Sequence, residues 1–250
     1  MLAKQITKWI KDYAKQNSIS ALVVGVSGGI DSSVVSTLCA RTKLKTYALT
    51  MPIRQSEQTH SLSLRHSEWL TKNYKNVKHI NIDLTRTFDV FDSTLTLPYF
   101  NSQLGFANSR SRLRMMTLYQ VAQSVNGIVV GTGNKVEDFG VGFFTKYGDG
   151  GVDISPIADL MKTEVWQLGT ELDILQDIVD AKPTDGLWHD GRTDEYQLGM
   201  DYPSLEEAMM HHQNGTVPKS KKANNNLKKY IKIRSQNLHK MTAIPIYKKP

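Results

Sequence analysis

Four side chains with phosphate chemistry, Ser27, Asp31, Ser32 and Ser33, stand close together in the stretch ALVVGVSGGIDSSVVSTLCA, which spans residues 21–40. Ser27, Gly28 and Gly29 follow an apolar run, and Asp31, Ser32 and Ser33 precede apolar residues at helical spacing, Val34, Val35 and Leu38. Paired glycines let the backbone turn sharply and approach a ligand with no Cβ in the way. The helix that follows offers unpaired N–H groups and the positive end of its dipole, which suits a phosphate. A Walker loop would carry Lys just before its Ser or Thr; here the position is Asp31. A carboxylate beside phosphates repels them unless a cation lies between, so Asp31 suggests Mg²⁺ bridging to a polyphosphate. The bland alternative is a strand–turn–helix corner in which Asp31 or Ser32 caps the helix.

A second candidate group follows the apolar run GIVVG at 127–131, where Thr132 and Glu137 stand after a strand end as the glycine loop does. Glu137 could complete a two-carboxylate cation site with Asp31; alone it reads as a solvated residue in the first turn of a helix. The string SGGIDSS resembles the loop of the ATP pyrophosphatases, which cleave between the α and β phosphates and adenylate a substrate. The string GFFTKYGDGGVDISPIADLMKTEV, from Gly142, narrows this. With it the chain resembles ammonia-dependent NAD synthetase from its N-terminal helix to the His239–Lys240 pair.

The resemblance implies that ATP and Mg²⁺ adenylate the nicotinate carboxylate of deamido-NAD, and that ammonia displaces AMP. It implies ATP contacts at Gly25, Val26, Ser27, Gly28, Gly29, Ile30, Asp31, Ser32, Thr132, Lys162 and Thr184. Asp31 and Glu137 are the implied metal ligands. Arg112, Lys146, Asp153, His239 and Lys240 are the implied deamido-NAD contacts. Lys162 would neutralise charge as pyrophosphate leaves, and Asp149 in YGDGG would hold or deprotonate the incoming ammonium. The family also implies a homodimer with dinucleotide sites at the interface, ATP on one chain and much of the deamido-NAD on the other. Between Glu137 and Lys146 the chain carries one residue more than the spacing of the better-known members, and PIRQSEQTHS after Met51 departs from the usual acidic version.

The elements that must position these residues follow from periodicity. Strands are expected at 21–26, 45–51, 77–82 and 127–131, and helices at 2–16, after the glycine loop through Val34, Val35 and Leu38, and at 56–74 (Ser56 as cap), 83–95, 108–125, 161–172, 205–212 and 227–239. Residues 98–105 read as a loop, 137–153 as a glycine-shaped loop and 213–226 as a mobile polar segment. Strands alternating with helices imply an α/β fold: a doubly wound, mostly parallel sheet with helices on both faces, of the Rossmann-like adenine nucleotide hydrolase type. Ligands then sit at the carboxyl ends of the strands, on one rim with both candidate groups.

Composition bounds the rest. The 250 residues read as one domain. No apolar run spans a membrane, the N-terminus lacks the core of a signal peptide, and the single Cys39 falls on an apolar helix face. A cytoplasmic protein without disulfides is expected, with no membrane partner. The net charge of +7, concentrated at 219–240 and at Lys248 and Lys249, favours anionic partners. Aromatics for base stacking are scarce there, so a basic flap or a solvated helix face is preferred over nucleic acid. A glutamine-using version would need an amidase nucleophile, leaving free ammonia as donor. The rival readings are a tRNA-modifying or GMP-synthetase-type ligase on the same loop, and an ATP sensor without turnover.

Overall fold

The apolar runs become the sheet. In a computed structural model that describes residues 1–55, 57–95, 97–187 and 191–249, they form β1 (Ala21–Gly25), β2 (Lys45–Thr50), β3 (Val77–Asn81) and β4 (Gly127–Val129). All pair in parallel, in the order β3-β2-β1-β4. Ala21 registers with Lys45 on one side and Gly127 on the other. A bridge between Val130 and Ile154 extends the sheet beyond β4. The chain winds outward from β1 to β3 and returns to lay β4 beside β1. The order therefore reverses between β1 and β4, and the loops leaving those two strands share the crevice where such sheets bind ligands.

Helices cover both faces because β1 is apolar on both. Leu22 and Val24 pack with Ile10, Val34, Val35, Leu38 and Val165. These come from α1 (Leu2–Gln16), α2 (Ile30–Arg41) and α6 (Lys162–Glu171). Ala21 and Val23 face Phe88 and Ala122, from α4 (Thr85–Thr94) and α5 (Gln103–Ser124). Helix α3 (Glu57–Asn73) brings Leu70 against Ala40 and Ala48. The expected α/β fold with helices on both faces is the fold observed. Cys39 is fully buried, and burial pushes its thiol above the ordinary range.

Several boundaries differ for local reasons. The expected loop at 98–105 contains a 3₁₀ turn, Pro98–Phe100, and α5 begins five residues before expectation because Ser102 caps it, accepting from Gly105 N at 3.1 Å. Helix α9 (Tyr202–Gln213) starts at an Asp201 cap with Pro203 in its first turn, an arrangement proline favours. Helix α10 (Lys221–Met241) starts at a Ser220 cap, so 221–226 of the expected mobile segment are helical, with Ala223 and Asn226 buried. Two short helices, α7 (Gln176–Val179) and α8 (Asp194–Leu198), were not expected. The Ser56 cap lies outside the described residues.

Under α2 a histidine is sealed in the core. His66 is 0% exposed, its Nε2 lies 2.9 Å from Ser36 Oγ, and its ring stacks on Trp69. Its Nδ1 is buried without a partner. Burial depresses its pKa from 6.5 to about 4. The unfolded chain therefore binds the His66 proton more readily, and stability falls as pH drops from 6.5 through about 4. We predict that the stability difference between wild type and His66→Gln, measured by urea unfolding, shifts in favour of the variant by about 3 kcal/mol between pH 7 and pH 4. Parallel curves would remove His66 as the source.

Candidate active site

The glycine loop closes on itself through its own hydroxyls. Ser27 Oγ accepts from Gly29 N at 3.2 Å and lies 3.0 Å from Ser32 Oγ, which also accepts from Ser27 N at 3.2 Å. Ser33 Oγ donates to Gly29 O at 2.9 Å. Gly28 takes φ of +90°, where a Cβ would be strained. Gly29 caps α2 without any side-chain acceptor, so the first N–H groups of this 12-residue helix keep no capping oxygen. Gly25 and Val26 carry β1 into the loop, with Val26 N bonded to Leu49 O at 2.8 Å.

The second loop leaves β4 through Thr132, half-buried, and enters a π-helix, Lys135–Val141. The first part of the expected glycine loop at 137–153 is thus helical. Asn134 is wholly buried, accepts from Glu137 N at 3.1 Å and donates to Asp31 Oδ1 at 3.2 Å. It ties the two loops together. Asp138 lies over Gly133, so close that a Cβ there would sit 1.8 Å from Asp138 Oδ2. Burial, then the carboxylates of Asp149, Glu137 and Asp31, push Asp138 well above the usual range.

Lys162, the first residue of α6, completes the cluster. It is 2% exposed, and its Nζ lies 2.5 Å from Asp31 Oδ2 and 2.9 Å from Glu137 Oε1. Burial opposes its charge, but the two carboxylates overcome that and raise its pKa. Burial also raises Asp31, with Lys162 pulling against it and Glu137 adding to it. For Glu137 burial is outweighed by Lys162 and the Tyr202 hydroxyl, and its pKa falls. Two carboxylates share one ammonium, so the cluster carries an excess negative charge on oxygen donors aimed at one point. Those are the donors Mg²⁺ takes from a protein when phosphates supply the rest.

A second group forms nearby. Asp149 Oδ1 accepts from Ser111 Oγ at 2.6 Å and Thr145 N at 3.0 Å, and burial raises its pKa. Arg112, exposed on α5, donates to Lys146 O at 3.3 Å, and Lys146 Nζ donates to His239 O at 3.0 Å. Lys240 Nζ donates to Phe144 O at 2.8 Å. Arg112, Lys146, His239, Lys240 and the Asp149 turn are therefore one neighbourhood under the end of α10. Asp153 makes no direct bond to that group: it accepts from Val129 N at 2.7 Å and Tyr119 OH at 3.2 Å. Thr184 is exposed and bonds Arg192 O and Gly186 N, with no direct bond to the lysine cluster. Asn134, Asp138 and Tyr202 were not foreseen. Only Asn134 left a readable signal, an Asn three residues before Glu at a helix start.

A glycine turn, bare helix N-terminus and carboxylate–lysine cluster at the switch point of a parallel sheet define a nucleotide-binding α/β enzyme fold. The family model for NAD synthase matches residues 2–245. The NH(3)-dependent NAD(+) synthetase of Archaeoglobus fulgidus is 34% identical over 249 residues, 98% of this chain and 95% of that protein. That of Carboxydothermus hydrogenoformans is 35% identical over 83% of this chain and 84% of its own. The NMN synthetase of Francisella tularensis superposes with a TM-score of 0.87 at 32% identity, covering 98% of this chain and 97% of the other. The NH3-dependent NAD synthetase of Campylobacter jejuni gives 0.78 at 25% identity over 99% and 98%. The chain belongs to the NAD synthase family.

Lys162 supplies a test of the cluster. In Lys162→Met, Asp31 and Glu137 lose their only buried counter-charge among the described residues and their folded pKa values rise. We predict a loss of about 3–5 kcal/mol at pH 8. The folded variant then binds protons more readily than the unfolded chain, so the penalty shrinks as pH falls toward 5.5. A penalty independent of pH in urea titrations would contradict the shared ion pair.

Proposed function

We infer that this protein is an ATP-dependent ligase that converts the nicotinate carboxylate of deamido-NAD into the amide of NAD, with ammonia as nitrogen donor. The observation that carries this is the Asp31–Lys162–Glu137 cluster at the switch point of a chain in the NAD synthase family. A carboxylate oxygen of the substrate attacks the α-phosphorus and pyrophosphate leaves. Ammonia then attacks the acyl carbon and AMP departs with that oxygen.

The loop from Gly25 to Ser32 receives the phosphates on the N–H groups of α2, and Thr132 and Thr184 contact ATP. Asp31 and Glu137 would hold Mg²⁺, whose charge offsets that of the polyphosphate. Lys162 carries a permanent positive charge to the departing pyrophosphate, and preorganised charge of this kind is a large term in catalysis. Arg112, Lys146 and Lys240 gather positive charge where an anionic substrate lies, with His239 beside them and Asp153 at the edge. Asp149 would hold the incoming ammonium and take the proton it must lose before ammonia attacks. No helix among the described residues is long and apolar enough to cross a membrane, and a cytoplasmic setting suits the buried free thiol of Cys39.

A homodimer is part of this reading. Val90, Phe91, Leu97, Leu104 and Met116 are exposed on the α4–α5 side. A groove of about 330 Å³ there includes Phe106 and Arg112. Exposed apolar surface beside a substrate-binding arginine suits a symmetry mate that completes the site.

A second reading changes the substrate and not the chemistry. Likeness to an NMN synthetase over almost the whole of both chains favours nicotinate mononucleotide, which lacks the adenylate half of deamido-NAD. The two are separated by kcat/KM for each pyridine nucleotide with ATP, Mg²⁺ and ammonium, following AMP and pyrophosphate. Preference for deamido-NAD supports the first reading and preference for the mononucleotide the second; release of ADP and phosphate would overturn both. Asp31→Asn and Glu137→Gln are each expected to lower kcat about 10²–10³-fold with the fold intact. Mixing Asp31→Ala and Arg112→Ala subunits in equal amounts is expected to restore roughly a quarter of wild-type activity. No recovery despite confirmed subunit exchange would count against shared sites.

A further inference from the structure

Tyr202 has no assigned part in this chemistry, yet it lies beneath the cluster. It is 0% exposed, and a phenol there must find a hydrogen-bond acceptor or lose stability. Its hydroxyl donates to Glu137 Oε1, the oxygen that also meets Lys162 Nζ. Asp194 Oδ2 stands 3.4 Å from the same hydroxyl. The ring lies 5.0 Å from Lys162 Nζ and meets Trp166 edge-on at 5.6 Å. One side chain from the start of α9 thus touches both the carboxylate and the ammonium.

The hydrogen bonds around the two carboxylates are uneven. Asp31 Oδ1 accepts from Asn134 and Oδ2 from Lys162. Glu137 Oε1 takes both Lys162 and Tyr202. Among the described residues no donor lies within 3.5 Å of Glu137 Oε2, although the Asn134 side chain stands near enough to help lower the Glu137 carboxyl. We propose that Tyr202 is a positioning residue: by holding Oε1 it fixes the Glu137 carboxylate and leaves Oε2 for the metal ion that Glu137 would hold. Partners of this kind orient a metal ligand and govern its affinity as much as its geometry. The assignment rests on the functional reading above.

Tyr202→Phe tests it while keeping the ring over Lys162 and against Trp166. The measurement is Mn²⁺ binding by electron paramagnetic resonance with α,β-methylene-ATP, without pyridine substrate or ammonium, alongside steady-state kinetics. The expected result is Mn²⁺ affinity about 10- to 100-fold weaker than wild type. The requirement for Mg²⁺ should rise in parallel and the KM for the pyridine nucleotide should stay constant. Trp166→Phe, which alters only the ring's packing, is expected to leave Mn²⁺ affinity within about twofold. Wild-type affinity in Tyr202→Phe, or an equal loss in Trp166→Phe, would overturn the assignment. If wild type itself binds no Mn²⁺ with the analogue, the functional reading falls and takes the assignment with it.

Discussion

One buried ammonium holds three distant parts of the chain in register. Lys162 opens α6, Asp31 lies in the first turn of α2, and Glu137 sits on the π-helix after β4. Each group alone would be costly to bury, and removing one partner of such a set commonly costs several kcal/mol. Together they fix the crevice between β1 and β4, because each of the three elements must present its end to the same point. Asn134 reinforces this from Asp31 to the backbone of Glu137. The sheet brings the loops to one rim, and the ion pair sets their distance. Such charge is well placed to respond to a polyphosphate, whose arrival redistributes the same electrostatic balance.

The neighbourhood under the end of α10 is built differently. Lys146 and Lys240 rest on backbone carbonyls of His239 and Phe144 and not on carboxylates. Neutral acceptors hold a lysine more weakly than charged ones, so these side chains can turn to an anionic ligand at small cost. The contacts also tie the end of α10 to the turn carrying Asp149. On the proposed reading, the rigid cluster would face ATP, whose chemistry is fixed, and the more adaptable lysines would face a second substrate that must enter and leave.

Much of this was legible in the chain. The four apolar runs, the GG turn and the alternation of strand with helix are local signals, and each became the element it implied. Asp31 and Glu137 were read from their places after two strand ends and Lys162 from the family resemblance, and the three meet. What stayed hidden depended on distant partners or on single-residue geometry. The π-helix Lys135–Val141 stayed hidden because it depends on packing against Met209 and α10. Tyr202 lies 65 residues from Glu137 and looks like an ordinary apolar helix residue. The early starts of α5 and α10 turn on serine caps within polar stretches that also read as loops. Asp153 shows the reverse: it is in the family string, yet both of its oxygens hold the protein's own groups.

The central claim is that this site makes a substrate carboxylate attack the α-phosphorus of ATP. Isotope transfer tests it most directly. Pyridine nucleotide labelled with ¹⁸O in the nicotinate carboxylate is turned over with ATP, Mg²⁺ and ammonium, and the products are read by mass spectrometry. One ¹⁸O is expected in AMP and none in pyrophosphate. Amide formed with unlabelled AMP, or with ¹⁸O in inorganic phosphate, would contradict it.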